Sequence, residues 1–205
     1  MIGTGAVIGE DVVLGEGVCV GDRAVVGKRA IRAGAGRSAD PPLPTVVEAG
    51  ATIGSGAVVF EGARIGAGAV VGDQANVREG AVIGTGAVLG RGCAVGAHTT
   101  IGANVHVGVD AWLTSWMVVE EDVVVGPGVV TMNDDSMARL APGAQLRGPV
   151  LRRGCRVGAR CKLTPGVEIG AVAVAEAGSL ISRDVPAGAR VGGLPARVLE
   201  SGLPD

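Results

Sequence analysis

Aromatic side chains and histidine are scarce in this chain. Its 205 residues include no Tyr, one Phe, two Trp and two His, whereas a core of this size normally uses several aromatics. The core must therefore be built from Val, Ile, Leu and Ala. No apolar run approaches the roughly 20 residues of a membrane span, and no signal or transit peptide is recognisable, so we expect a cytoplasmic protein. The net charge of −2 is scattered, which argues against nucleic-acid and anionic-membrane partners.

Cysteine shows no metal-binding spacing, and glycine is abundant. The four cysteines, Cys19, Cys93, Cys155 and Cys161, form no Cys-x-x-Cys pair. The last three fall where the repeat described below needs a small inward residue, which predicts reduced thiols in the core. Although 37 residues are Gly, 47% of the chain is hydrophobic, which argues against disorder.

A period of six residues organises most of the sequence. Starting at Val47, fourteen consecutive sixth residues are aliphatic. A small residue lies four positions after each of the first nine, from Ala51 to Thr99. The aliphatic positions are Val47, Ile53, Val59, Ile65, Val71, Val77, Ile83, Leu89, Val95, Ile101, Val107, Leu113, Val119 and Val125.

Two interruptions divide this repeat into three blocks of a single domain, residues 1–205. The blocks are residues 2–31, 47–130 and 151–186; the insertions are 32–46 and 131–150; and a C-terminal extension covers 187–205. The first insertion is rich in proline, which cannot continue a strand ladder, and the second contains a polar Asn-Asp-Asp stretch.

A period of six fits neither a helix nor an alternating strand. It fits a short strand followed by a corner, in which the aliphatic and the small residue point inward. Three such sides make a triangular coil, so residues 18 apart stack on one another at one strand spacing, about 4.8 Å. One coil cannot bury its own core, but a stack of coils can. The sequence predicts about eight coils.

On these repeats the chain resembles the hexapeptide-repeat acyltransferases over nearly its whole length. The resemblance implies an all-β fold, namely a left-handed parallel β-helix of about eight triangular coils with one polar insertion loop. It also implies an acetyl-CoA-dependent acyltransferase that binds no metal. The repeat indicates the fold more specifically than the function, because γ-class carbonic anhydrases and non-catalytic scaffold subunits share it.

The outward position before each inward aliphatic is often apolar. On a monomer these side chains would form a large exposed patch, which a second copy of the prism would cover. Members of the family are trimers with active sites between subunits, so the resemblance implies a homotrimer. The outward apolar residues are Val58, Val70, Val82, Val88, Ala94, Trp112, Val118, Val124 and Val130.

The two histidines fall on different parts of the predicted prism. His98 lies at a corner, and steps of 18 residues place Trp116 and then Asp134 in the same column, beside the second insertion. His106 lies in the apolar outward column, between Val88 and Val124. Imidazole has a suitable pKa to take a proton from an acceptor, so we predict His98 as the general base and keep His106 as the alternative.

The segment 119–134 resembles the corresponding part of nucleotide-sugar N-acetyltransferases. An acidic hexad precedes a Gly-Pro turn, and Thr-Met-Asn-Asp then opens the second insertion. The resemblance implies acceptor contacts from Asp110, Trp116, Asn133 and Asp134. This chain departs from the pattern at Gly108, Val109 and Ser115, where relatives are frequently polar or acidic, so the acceptor differs or the amine is recognised differently.

The C-terminal stretch resembles the closing motif of the same family, in which Asp-Val-Pro is followed by Gly-x-Pro-Ala-Arg. In relatives the last coils contact coenzyme A, with backbone amides on pantetheine and cations near the phosphates. The resemblance therefore implies cofactor contacts from Gly158, Arg160 and Gly170.

Three function classes remain open at this point. The favoured one is an N-acyltransferase that acetylates the amine of a nucleotide-linked amino sugar or a similar small amine. The alternatives are an O-acyltransferase acting on a small hydroxyl acceptor and a non-catalytic β-helix scaffold. A γ-class carbonic anhydrase is disfavoured, since it needs three zinc-binding histidines and this chain has two.

Overall fold

The computed structural model describes residues 1–32, 36–37, 43–137, 139 and 145–201. In these residues the secondary structure consists of short strands and turns. Three sheets form the sides of a triangular prism, and Ile31–Arg32 and Gly36–Arg37 form a separate two-stranded antiparallel sheet. No helix in this part of the chain is long and apolar enough to cross a membrane. The predicted all-β parallel helix is confirmed.

The strands of each sheet follow one another in chain order along the prism. The first sheet contains Val7–Ile8, Val25–Lys28, Val58–Phe60, Asn76–Val77, Ala94–Val95, Trp112–Leu113, Val130–Thr131, Lys162–Leu163 and Leu180–Ile181. The second contains Val12–Leu14, Thr45–Val47, Arg64–Ile65, Val82–Ile83, Thr100–Ile101, Val118–Val119, Val150–Leu151 and Glu168–Ile169. The third contains Cys19–Val20, Thr52–Ile53, Val70–Val71, Val88–Leu89, His106–Val107, Val124–Val125, Arg156–Val157, Val174–Ala175, Ala189–Gly193 and Ala196–Ser201.

The register between coils is 18 residues, as the period predicts. Val70 pairs with Val88, and Val88 pairs with His106, all in parallel. The second residue of a typical two-residue strand points inward, and all fourteen predicted aliphatic positions are at most 3% exposed. The small column is buried as well, including Cys93 and Thr99. The core is therefore a continuous aliphatic column along the prism axis.

The glycine that follows the inward aliphatic is required by the distance between coils. A Cβ built on Gly84 would lie 2.5 Å from the carbonyl carbon of Gly102, and one on Gly54 would lie 2.5 Å from the backbone nitrogen of Asp73. Stacked backbones leave no room for a side chain there. A different position, the second turn residue, has positive φ, and Gly68 adopts it at +64° with open space around it.

Both insertions leave the prism at the same edge, where the first sheet turns into the second. Successive inward residues across a corner are normally six positions apart, but Val26 and Val47 are 21 apart, and Thr131 and Leu151 are 20 apart. We call this column of corners the insertion edge. Between the insertions it carries Glu61-Gly62, Glu79-Gly80, Ala97-His98 and Ser115-Trp116.

The described ends of both insertions are hydrogen-bonded to this edge. Glu61, which is 9% exposed, accepts a hydrogen bond from the amide of Ala30 at 3.0 Å, and Gly62 donates to the carbonyl of Leu43 at 3.0 Å. At the second insertion, the amide of Gly148 donates to the carbonyl of Trp116 at 3.3 Å. The returning chain therefore packs directly on the Trp116 corner.

Three boundaries differ from the sequence expectation. The second-sheet strand Thr45–Val47 begins inside the predicted insertion 32–46, and Val150–Leu151 begins inside 131–150. The extension 187–205 adds Ala189–Gly193 in parallel to the third sheet, followed by an antiparallel hairpin partner. The first sheet has nine strands, so the prism has about nine coils, where about eight were expected.

Candidate functional site

A groove of about 920 Å³ lies on the outer face of the first sheet and reaches the insertion edge. Its floor is formed by outward residues of successive coils, and its far end by the start of the second insertion. The lining residues are Asn76, Arg78, Ala94, Val95, Gly96, Trp112, Thr114, Ser115, Val130, Thr131, Met132, Asn133 and Asp134.

The groove forms where one pair is missing from the ladder of the first sheet. Trp112 pairs with Val130, but the next two residues, Leu113 and Thr131, do not pair, although both strands continue in the sheet. The buried hydroxyl of Thr131 takes over: it accepts the amide of Thr114 at 2.8 Å and donates to the carbonyl of Trp112 at 3.1 Å. Thr99 acts similarly one coil earlier, donating to the carbonyl of Thr114 at 2.7 Å. Two buried hydroxyls thus hold the distorted corner.

His98 and Trp116 stack on each other at the insertion edge, beside this groove. Their ring centroids are 4.3 Å apart and their planes are inclined by 24°. Both side chains are exposed, and both residues have left-handed backbones, with φ of 56° and 63°. Nδ1 of His98 lies 2.6 Å from the position that a Cβ on Gly80 would occupy, so the ring needs a glycine beneath it. This conformation belongs to the turn position of the repeat, where Arg23, Gln74 and Val172 also have positive φ.

Asn133 and Asp134 begin the second insertion. Nδ2 of Asn133 donates to the carbonyl of Ser115 at 3.3 Å, one position from Trp116. Oδ1 of Asp134 accepts from the amide and the hydroxyl of Ser136, at 2.7 and 2.6 Å. The structure therefore brings His98, Trp116, Asn133 and Asp134 to one edge. The hydrogen bonds to Ser136 also give Asp134 a local structural role.

Asp110 and His106 lie elsewhere on the prism. Asp110 is at the opposite edge of the first sheet, where its carboxylate is 3.6 Å from the guanidinium of Arg91. His106 is exposed on the third sheet, between Val88 and Val124 as the period predicts, and away from the groove. Of the two histidines, His98 is therefore the one beside the groove.

The three residues expected at the cofactor are divided between two edges. Gly158 and Arg160 are at the corner from the third sheet to the first, and Gly170 is at the corner from the second to the third. A Cβ on Gly158 would lie 2.5 Å from the amide nitrogen of Ala177, and one on Gly170 would overlap the amide of Ala187. Close coil stacking thus explains both glycines without a cofactor. Arg160 is exposed.

Sequence reasoning missed a charged cluster at the N-terminal end of the groove. Nε and Nη2 of Arg78 donate to the carboxylate of Glu79 at 2.7 and 3.1 Å. The same guanidinium lies over the ring of Phe60, 4.8 Å from its centroid. Burial raises the pKa of Glu79, but the hydrogen bonds and charge of Arg78 and the proximity of His98 outweigh it and keep the pKa below its ordinary value. One signal was available: Arg78 stands 18 positions after the only Phe.

The buried cysteines are poor nucleophiles. Burial raises the pKa of the Cys93 and Cys155 thiols to about 12 and also raises that of Cys161. All four cysteines are free, and only Cys19 is exposed. Within the described ranges, no three His, Cys, Asp or Glu side chains are grouped as metal ligands.

The repeats match a known family, and curated relatives match over short stretches. The family described as "Hexapeptide repeat of succinyl-transferase" matches residues 44–73 and 153–183. The serine acetyltransferase of Buchnera aphidicola subsp. Acyrthosiphon pisum is 32% identical over 84 residues, which cover 38% of this chain and 31% of that protein. The putative acetyltransferase YvoF of Bacillus subtilis is 51% identical over 43 residues, which cover 21% and 25%. The chain thus spans about a third or less of these relatives.

Two solved structures share the fold. One is a histidine-to-alanine variant of GDP-perosamine N-acetyltransferase from Caulobacter crescentus in complex with CoA and GDP-perosamine. It has a TM-score of 0.55 and 23% identity, and the match covers 64% of this chain and 56% of that one. The other is the polysialic-acid-specific acetyltransferase NeuO, with a TM-score of 0.50, 15% identity, and coverage of 99% and 87%. By its fold this chain is a parallel β-helix, and two stretches of its repeats, residues 44–73 and 153–183, match the hexapeptide-repeat family.

Proposed function

We propose that this protein transfers an acetyl group from acetyl-CoA to the amine of a nucleotide-linked amino sugar or a similar small amine. The observation that carries the proposal is the exposed His98 imidazole, stacked on Trp116 beside a groove at the insertion edge. The matched relatives are named as acetyltransferases, which supports the same reaction class.

The reaction requires a neutral amine next to the thioester carbonyl. His98 would take a proton from the amine as the amine nitrogen attacks the carbonyl carbon. Collapse of the tetrahedral intermediate would break the C–S bond, and the departing CoA sulfur would take that proton back from the His98 imidazolium. Trp116 would fix the imidazole by stacking, and Asn133 and Asp134 would contact the acceptor at the far end of the groove. Backbone amides along the corners would stabilise the oxyanion. Asp110 lies at the opposite edge, so its contact with an acceptor at His98 would come from a neighbouring copy.

Acetyl-CoA would supply the activated acyl group, with its pantetheine chain along the C-terminal coils. Arg160 is the best placed of the predicted cofactor residues to meet a phosphate, because its side chain is exposed at a corner. Gly158 and Gly170 would contribute backbone near the cofactor, although coil packing alone already requires glycine at both positions.

The proposed assembly is a homotrimer in the cytoplasm. Outward apolar residues remain exposed on the isolated chain, among them Val118 at 42% and Trp112 at 57%, and other copies of the prism would cover such surfaces. Four free cysteines, including an exposed one, are consistent with a reducing compartment.

A hydroxyl acceptor is the second candidate. The serine acetyltransferase relative is named for transfer to an amino acid that carries a hydroxyl group, and the same base and groove would serve an alcohol. A non-catalytic scaffold is the third candidate, but it would need neither a stacked imidazole nor a groove beside it.

The test is thiol release from acetyl-CoA with amines, amino sugars, nucleotide-linked amino sugars and matched alcohols. We expect His98→Ala to lower kcat/KM by about 10²–10⁴-fold, the usual contribution of a general base. His106→Ala is the matched control and should retain activity. Light scattering checks that both variants keep the wild-type assembly. If the wild type neither binds CoA nor releases thiol with any acceptor, the transferase proposal is wrong.

A further inference from the structure

Two cations converge on the only phenylalanine of the chain, just before the groove begins. Lys28 pairs in register with Phe60, and its Nζ lies 5.2 Å from the ring centroid. Cζ of Arg78, one coil later, lies 4.8 Å from the same centroid. Phe60 is 8% exposed, so the ring is a fixed platform and not a mobile surface side chain. Cations held near an aromatic ring gain electrostatic attraction from it.

The guanidinium of Arg78 is oriented before any ligand arrives. Glu79 occupies Nε and Nη2, and Phe60 covers one face of the group. Nη1 has no protein partner within the described residues, and Arg78 lines the groove. A planar guanidinium with an available N–H edge suits a phosphate or carboxylate oxygen, and its fixed position lowers the entropy lost on binding.

The charge distribution distinguishes the two ends of the groove. Of the lining residues only Arg78 and Asp134 are charged, and they lie at opposite ends, on coils three steps apart. Glu79 balances the charge of Arg78, but Lys28 adds a further positive charge and has no ion pair within the described residues. The N-terminal end therefore has an excess of one positive charge.

The base lies close to this cationic end. The His98 ring packs over Gly80, which is two residues after Arg78 in the chain. An anion on Nη1 and a nucleophile at the imidazole would be separated by no more than about two coil spacings, roughly 10 Å. This is the scale of a compact acceptor that has a charged group at one end and an amine or hydroxyl at the other.

We propose that Arg78, seated on Phe60 and oriented by Glu79, binds an anionic oxygen group of the acceptor, either a phosphate or a carboxylate. This inference rests on the proposed acetyl transfer and narrows its acceptor to anionic molecules. Lys28 supplies additional long-range attraction, and Asp134 disfavours the reverse orientation of the acceptor in the groove. Arg78 is thus a specificity-determining residue, and it takes no part in the proton transfer at His98.

Anion binding is tested first without any turnover. Inorganic phosphate and acetate are titrated against wild type, Arg78→Met and Arg64→Met, and the melting temperature is followed with and without CoA. Arg64 is an exposed arginine on the outer face of the second sheet, so Arg64→Met removes the same charge as Arg78→Met but at a site outside the groove. We expect at least one anion to stabilise wild type and Arg64→Met, and to have little effect on Arg78→Met. Equal responses of all three proteins, or no response in any, would overturn the site.

Turnover identifies the anion. Glucosamine 6-phosphate is compared with glucosamine, and serine with serinamide. We expect the anionic member of one pair to have the lower KM, and Arg78→Met to remove about 10- to 100-fold of that advantage, the value of one charge-assisted hydrogen bond. Arg64→Met, the matched control, should keep the wild-type preference for the anionic member. If wild type uses no acceptor, the proposed function fails, while the phosphate and acetate titrations still decide whether Arg78 is an anion site. An unchanged preference in Arg78→Met would refute the role in specificity.

Discussion

At the scale of single residues, buried threonines have a role that aliphatic residues cannot perform. Thr99 and Thr131 occupy inward positions of the repeat, where Val or Ala would fill the same volume. Their hydroxyls bind backbone groups of Trp112 and Thr114 at the corner where the ladder lacks the Leu113–Thr131 pair. A buried amide without a partner is costly, so these hydroxyls stabilise an irregular corner beside the groove.

Replacing Thr131 by Val should therefore destabilise the protein. The amide of Thr114 would lose its partner inside the core, and we expect the free energy of unfolding to fall by about 1–3 kcal/mol. Urea titration followed by circular dichroism measures the change. Thr100→Val is the control, because Thr100 points outward and is exposed; it should change stability by less than about 0.5 kcal/mol. Equal effects of the two substitutions would contradict the role assigned to the Thr131 hydroxyl.

The site was predictable from the sequence only where the period determines it. The 18-residue step placed His98 and Trp116 in one column, and the rings do stack. The assignments of Asp110, Gly158 and Gly170 came from a family resemblance, and the structure places them at other edges. The contact between Arg78 and Phe60 depends on side-chain conformation, which a repeat period does not specify.

At the scale of the corner, glycine serves two distinct purposes. Gly84 is needed because the backbone of the next coil lies 2.5 Å from the position of its missing Cβ. Gly68, in the preceding corner of the same edge, adopts positive φ in open space. Glycine is therefore required by coil spacing at the first position and favoured by backbone conformation at the second. In the turn position other residues are tolerated, as His98 and Trp116 show.

This distinction predicts unequal effects of the same substitution. Gly84→Ala forces two backbones apart and should cost about 3 kcal/mol or more, at the upper end of overpacking effects. Gly68→Ala meets no neighbour and should cost only the left-handed conformation of an L-residue, about 1–2 kcal/mol. Thermal and urea unfolding of the two variants give the comparison. If Gly68→Ala lowers the free energy of unfolding more than Gly84→Ala does, coil spacing is not the reason for the glycine at Gly84.

At the scale of the whole molecule, half-buried valines on the outer face of the third sheet predict self-association. Val70, Val88 and Val124 lie on its outer face, with His106 among them. We expect light scattering to give the mass of three chains, and Val88→Asp to shift the protein towards monomers by placing a carboxylate in the apolar contact. Gln74→Asp, at an exposed corner, should leave the assembly unchanged. A trimeric Val88→Asp would move the interface to another sheet, and a monomeric wild type would contradict the trimer.

The overall architecture was predictable because one period determines the inward column, the register and the stacking. The edge of the prism from which the insertions leave was less predictable from the sequence. Counting along the blocks gave about eight coils, because the strand that ends at Thr131 and the strands of the C-terminal extension were not counted. The strand Ala189–Gly193 departs from the 18-residue step, because Val191 pairs with Ala175, 16 positions earlier, and this strand joins the third sheet through tertiary pairing.

The shared edge of the two insertions has a consequence for how this prism tolerates changes in length. Their intervals of 21 and 20 positions are not multiples of six, yet every later strand returns to its own sheet. The insertions thus add residues without changing which sheet each later strand joins. Adding one six-residue repeat within a regular coil would instead move every later strand to the next sheet, a rotation of a third of a turn. One edge of the molecule is free to vary in size, and it is the edge that carries His98 and Trp116.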